Sequence, residues 1–287
     1  MMFSQNKKLV MQGLLGAAMA LASASSMAAS SWGLDGCGTT SGGSNSVGSS
    51  TGGTAFGNVF TCNSTGGTAA KVTVSAFGSS GGSTGSYDIA YLKQNGTGYG
   101  FGVASKDEGI NVSAPDHSMD NNPSTSVPDL ILLKFDTKVA LNAITLGWSQ
   151  SDADITVMAY DGSSAPVITG KTASNLRGTA AQGWTMVSNY GDADAPNATG
   201  YTQSGTDIVY VNSSNVTASW WLISAYNAGF GGGTLDSLTD YVKLLGVSTK
   251  DVTNNNNGRV PEPASLALVG LALVGAASAR RKAKKSA

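Results

Sequence analysis

The acidic side chains are the first candidates for chemistry in this 287-residue chain. Asp116, Asp120 and Asn121 fall in a polar stretch without hydrophobic period, residues 106–128, while Asp152 and Asp154 stand at the head of an apolar run. Hard cations such as Ca2+ gather six to eight oxygens from carboxylates, carboxamides and backbone carbonyls. These five residues, with Asp129 clustered beside the first three, therefore form a candidate Ca2+ set, provided that the irregular stretch folds beside residues 152–154. The same residue types also cap turns by accepting backbone hydrogen bonds, and both readings stand at this point. EF-hand spacing and the Gly-Gly-x-Gly-x-Asp repeat are both absent. His117 is the only histidine, so a catalytic triad would have to be built on it, and no Gly-x-Ser-x-Gly motif accompanies it. A site needing several histidines is excluded by that count. Two carboxylates can hydrolyse a glycosidic bond, but that chemistry fits poorly with a chain of turn-type Asp and almost no Glu. The expectation is a non-enzymatic protein without a catalytic residue. Trp220 and Trp221 are candidates for stacking on sugars. As neighbours on a strand they must point to opposite faces, one into a core and one outward or against a second layer.

The elements that position these residues read as β structure. Val72, Val74 and Ala76 alternate with polar neighbours, and Tyr87, Ile89 and Tyr91 do the same, the pattern of half-buried strands. Asn95-Gly96 is a hairpin signal before Tyr99, Phe101 and Val103. Apolar runs at 130–135, 139–148, 154–160, 184–187, 207–211, 218–226 and 241–247 supply further strands, separated by Gly, Asn and Asp turns. Short helical pieces are expected at 173–180 and 235–239. The 38 Gly residues and many Ser, Thr and Asn residues fit a chain dense in turns. The expected fold is all-β: an antiparallel β-sandwich, jelly-roll-like, with minor helix.

Both ends look like something other than fold. Lys7 and Lys8 precede the apolar stretch Leu9 to Leu21, and Ser26-Met27-Ala28 offers the small residues that a signal peptidase reads, which implies a signal peptide ending at Ala28. At the other end Val260, Pro261, Glu262 and Pro263 precede a charge-free run from Ala264 to Ala279, closed by Arg280, Arg281, Lys282, Lys284 and Lys285. As a helix the run would reach ~24 Å, just short of a ~30 Å hydrocarbon core. The basic cluster would stay cytoplasmic and leave everything before Pro261 outside. An export route places Cys37 and Cys62 in an oxidising compartment, where an even count favours a disulfide between them. Of 17 Lys and Arg, two lie in the leader and five in the tail, leaving ten. Against them stand 17 of the 18 acidic residues, so the processed protein carries about −7 and suits neither nucleic acid nor anionic lipid.

The Pro-Glu-Pro motif, apolar run and basic terminus together resemble the PEP-CTERM sorting signal of Gram-negative bacteria. That resemblance implies an exosortase that recognises the motif and removes the tail after export, with the inner membrane as a transient station. The body is similar to exosortase-dependent surface proteins through the stretches Ala114 to Asn121, Leu146-Gly147-Trp148, Asp152 to Asp154, Gly183-Trp184, Trp220 to Tyr226 and Asp240 to Val247. The expected organisation is a signal peptide (1–28), a β-sandwich (29–250), an Asn-rich linker (251–259) and the sorting signal (260–287). The expected role is a surface or extracellular-matrix protein associated with exopolysaccharide in biofilm or floc formation. The alternative is a carbohydrate- or Ca2+-dependent binding module, lectin-like, on the cell surface.

Overall fold

The computed structural model describes residues 29–39, 56–65, 71–80, 85–111, 113–122, 127–177, 183–191 and 202–250. The leader, the linker and the sorting tail lie outside the described residues. Within them the chain forms two antiparallel sheets, with strands numbered here in chain order. The first sheet runs β13 (Thr202–Tyr210), β10 (Leu141–Ser151), β15 (Asp240–Thr249), β7 (Phe101–Ala104) and β6 (Tyr91–Gln94). The short β1 (Ser31–Gly33) and β8 (Met119–Asp120) also pair with β15. The second runs β12 (Trp184–Tyr190), β11 (Ile155–Tyr160), β14 (Ala218–Ala225), β9 (Leu130–Val139), β4 (Lys71–Ser79), β3 (Phe60–Asn63) and β2 (Gly38–Thr39), with β5 (Tyr87–Ile89) on β4.

The sheets face each other across one core. Alternation on β4 sends Val72, Val74 and Ala76 inward, where they are buried, and leaves Lys71 exposed. Aromatic pairs tie the layers: Trp32 of β1 stands edge-on to Phe135 of β9 at 5.0 Å, and Phe60 of β3 meets Phe101 of β7 at 4.6 Å. A second, smaller core covers the outer face of the second sheet. There Leu132, Met158 and Leu222 pack under Ile168, Leu176 and Phe230. This explains why β11 reads as a continuous apolar run: it is buried on both faces. The covering segment carries one short helix, α1 (Ala173–Leu176), closed by a capping box in which Thr172 Oγ1 accepts from Asn175 N–H and Asn175 Oδ1 accepts from Thr172 N–H.

Several elements depart from the sequence pattern. Residues 87–91 form two strands rather than one, because β5 joins the second sheet and β6 the first, with Ala90 at the crossing. The Asn95-Gly96 hairpin pairs Gln94 with Phe101, so its connection is six residues long instead of two. Gly100 in that loop has φ +78°, and a Cβ there would lie 2.5 Å from Leu245 Cα; only glycine lets β7 come this close to β15. Residues 235–239 are not helical, and a 3-10 turn lies earlier, at Ala228–Phe230. The Gly/Ser-rich N-terminal region holds two strands that no apolar period announces. Its residue Trp32 is 1% exposed. The Cys37–Cys62 disulfide is formed and links this segment to β3, with Cα atoms 4.5 Å apart. At the start of the described chain Ser30 and Thr249 exchange hydrogen bonds of 2.9 Å (Thr249 N–H to Ser30 O) and 3.1 Å (Ser30 N–H to Thr249 Oγ1), so the two ends of the sandwich meet.

Candidate cation centre

The start of β15 organises the acidic residues. β8 lies along it with Asp120 opposite Tyr241 and Met119 opposite Val242. On the other flank β10 ends with Ser151 opposite Asp240. Successive residues of a strand point to opposite faces. Asp120 and Asn121 therefore part company, and the five residues expected to meet divide between two places.

Asn121 joins Asp152 and Asp154 through a residue that the sequence reading left out, Asp240. Asn121 Nδ2 donates to Asp240 Oδ2 at 2.5 Å, and Asp240 N–H returns a bond to Asn121 Oδ1 at 2.7 Å. Asp240 Oδ1 accepts from Asp154 N–H at 2.7 Å. Asp152, Asp154 and Asp240 are all buried and place carboxylate oxygens within 4.8 Å of one another. Burial, reinforced by Asp154 and then Asp152, pushes the Asp240 carboxyl up to about 9. Both Asp240 oxygens are nonetheless met by protein donors, while Asp152 Oδ2 is buried without a hydrogen-bond partner.

Asp120 instead faces Glu108 and Asp129, and this trio also gathers its oxygens within 4.8 Å. Glu108 comes from the turn after β7, Asp120 from β8, and Asp129 from the residue before β9. The turn is held by Gly109 N–H on Ser105 O, by Ser79 Oγ donating to Asp107 Oδ2, and by the Lys106–Asp88 ion pair at 2.6 Å. Asp129 N–H donates to Asp120 O at 2.7 Å, which fixes β8 to the entry of β9. Some oxygens have donors: Ser105 N–H serves Glu108 Oε2 at 2.8 Å, and Asn122 N–H serves Asp120 Oδ1 at 3.0 Å. Glu108 Oε1, Asp120 Oδ2 and both oxygens of Asp129 are buried without a hydrogen-bond partner. Burial pushes Glu108 up to about 7 and Asp120 up to about 8, with the Glu108 charge adding to the latter. Asp129, wholly buried, is driven well above the carboxylate range, first by burial and then by Asp120. Two unit charges 4.8 Å apart repel by ~3 kcal/mol at an effective dielectric of 20, so three ionised groups here require compensation by a cation or by protons. Asp116 is half-buried and belongs to neither trio; it acts on Glu108 and Asp120 through its charge.

The other singled-out side chains lie elsewhere. Trp221 faces the inter-sheet core at 0% exposure, with its indole N–H on Ala218 O at 3.1 Å, so its ring is unavailable to a sugar. Trp220 points to the opposite face, half-buried, with the Lys134 ammonium 5.5 Å over its ring. Trp184 is buried against Tyr160 at 5.0 Å. His117 meets Lys243 Nζ at 3.1 Å, and that ammonium lies 4.3 Å over the Trp148 ring and 5.8 Å from that of Tyr99.

The fold thus defines an all-β domain whose two ends meet, stapled by a disulfide and carrying buried carboxylates. Residues 259–282 match the family model of the PEP-CTERM protein-sorting motif, which marks an exported protein sorted at the membrane by an exosortase in Gram-negative bacteria. The match includes Pro261, Glu262, Pro263 and the basic residues Arg280, Arg281 and Lys282, and it lies wholly in the tail. A comparison with curated proteins finds no match. Among the described residues no helix is long and apolar enough to cross a membrane, and the apolar run at 264–279 lies outside them.

Proposed function

We propose that this chain is a non-enzymatic surface or extracellular-matrix protein, associated with exopolysaccharide in biofilm or floc formation once an exosortase has removed its tail. The sorting motif at 259–282 carries this reading. The disulfide suits it, since such bonds persist in oxidising compartments. So does the acidic, turn-rich surface, which favours solubility over membrane contact. Cleavage at Ala28 by signal peptidase and at the Pro261-Glu262-Pro263 motif by exosortase would release a product of about 230 residues, read from the same two sites.

Intact mass of the protein in the extracellular fraction tests this reading. Expected is a product lacking both the leader and the tail, together with a Glu262→Ala variant that is exported but retained in the membrane fraction at higher mass. Release of the Glu262→Ala variant at the normal mass would remove the motif as the recognition element. A full-length product in the cytoplasm would overturn the export reading itself.

A second reading, carbohydrate binding on the sandwich surface, draws on Trp220 and Lys134. Trp220 packs on the outer core with the Lys134 ammonium 5.5 Å from its ring, so a sugar would use the exposed edge of the indole and the adjacent positive charge.

A further inference from the structure

We infer that Glu108, Asp120 and Asp129 hold one Ca2+ ion, which locks the 105–122 segment onto the sandwich. The inference is independent of the sorting and matrix readings, since it rests on the geometry of the sandwich alone.

Three observations carry it. First, the carboxylates come from three separate elements and converge: their oxygens lie within 4.8 Å of one another. Oxygens in a Ca2+ shell at 2.3–2.6 Å are at most ~5 Å apart, so the trio is already spaced as ligands would be. Second, the convergent oxygens lack donors. Asp129 is 1% exposed and has neither oxygen hydrogen-bonded, and Asp120 Oδ2 and Glu108 Oε1 are in the same state. Buried carboxylate oxygens are ordinarily satisfied, and four left without donors on three converging carboxylates call for a ligand. The nearest ammonium on the turn, Lys106, is turned outward to Asp88. Third, the neighbouring backbone packs against Asp129 so closely that only glycine fits. A Cβ at Gly78 would overlap Asp129 Oδ1 and lie 2.9 Å from Ser105 Cβ. Gly78 thereby lets the β4 backbone close directly over the Asp129 carboxylate and keeps it out of water.

The donor set selects the ion. It is all oxygen: the one imidazole is occupied at Lys243 and the two cysteines are bonded to each other, so Zn2+ and Cu2+ lack their nitrogen and sulfur ligands among the described residues. Mg2+ demands near-octahedral geometry at 2.0–2.1 Å and keeps several waters, which a site this buried and this anionic does not favour. The Asp152–Asp154–Asp240 trio makes an internal control. It has the same spacing, but both Asp240 oxygens are occupied by Asn121 and Asp154, and one oxygen, Asp152 Oδ2, is without a hydrogen-bond partner where the Glu108 trio has four.

The test uses the exported protein, stripped with chelator and titrated with Ca2+ alone. With an affinity of ~0.1 mM, inside the range of extracellular modules, about 10 mM Ca2+ should raise the wild-type Tm by ~5–10 °C over chelator. Tb3+ should replace the ion and give luminescence sensitised by the protein's aromatic residues. Asp129→Asn should abolish both responses, yet in chelator it should melt at or above the wild type, because the amide removes one of three like charges. Asp240→Asn should keep the Ca2+ shift. If Asp129→Asn fails to fold, Glu108→Gln on the surface turn serves with the same readouts. A wild-type Tm unchanged between Ca2+ and chelator overturns the inference. So does a shift that survives in Asp129→Asn, or one lost in Asp240→Asn but kept in Asp129→Asn, which would move the ion to the other trio.

Discussion

Reducing the Cys37–Cys62 bond is the cleanest perturbation of the N-terminal segment. The bond closes a loop with a sequence separation of 25. In the chain-entropy treatment a loop of that size constrains the unfolded chain by ~3.5 kcal/mol at 25 °C. On reduction the two sulfurs must separate to van der Waals distance, a local shift at side chains that are buried, Cys62 at 2% exposure and Cys37 at 9%. The segment also keeps its other anchors, the pairing of β1 with β15 and the buried ring of Trp32. The expected result is a still-folded protein whose stability falls by about 3 kcal/mol, or a Tm lower by ~6–12 °C for a domain of this size. Urea unfolding with and without dithiothreitol, at fixed Ca2+, measures it. Reduction is preferred to Cys→Ser exchange, which would add a buried hydroxyl to the core. A loss below about 1 kcal/mol would refute the reasoning, and would mean that β1 pairing already restricts the chain as much as the bond does.

Lys243 offers a test in pH. Burial, and then the Lys93 charge, push its ammonium from 10.5 down to about 8, although the Trp148 ring beside it favours the cation. Between those two values the unfolded chain binds more protons than the folded one, so stability should rise with pH there, by at most ~1.4 kcal/mol per unit. Below about 8 both states are protonated and this contribution is flat. Lys243→Met should flatten the rise in urea unfolding between those pH values, and an unchanged slope would exclude Lys243 as its source. The adjacent tryptophans give a paired comparison: Trp221→Ala should cost ~3–5 kcal/mol as a full core deletion, and Trp220→Ala clearly less. Trp220→Ala should also weaken retention on the exopolysaccharide fraction. Full retention, with a stability loss equal to that of Trp221→Ala, would dismiss the carbohydrate reading.

Strand positions were legible wherever one face is buried. The alternation on β4 and the long apolar run of β11 each have a local cause in how many faces are covered. What stayed hidden depended on partners far along the chain. Nothing local in residues 87–91 says that Ala90 is a crossing between sheets. Trp32 lies in a small, polar segment and is buried because β15, more than 200 residues later, pairs with it. The candidate site shows the same division. The sequence located the acidic stretch and the partnership of Asn121 with residues 152–154, but it grouped Asp120 with Asn121. Strand alternation separates them once β8 pairs with β15, and that pairing could have been inferred only by reading Met119–Asp120 as extended. Glu108 was visible as the lone glutamate of the sandwich and Asp129 as a neighbour of the stretch. Asp240 carried no signal beyond opening the last strand.

β15 gives the molecule a long axis with two unlike poles. It spans Asp240–Thr249, about 30 Å at ~3.4 Å per residue. One pole holds both carboxylate trios; at the other, Thr249 meets Ser30 and the polypeptide leaves through Lys250 toward the sorting signal. Lys250, the last residue described before the sorting signal, therefore leaves the sandwich at the pole remote from the carboxylates. Tension on the tether would load a central strand along its length, where hydrogen bonds to β10 resist in shear together rather than opening one by one. A load that entered through the last strand would thus reach the buried carboxylates only at its far end, after the whole β10–β15 ladder had taken it up.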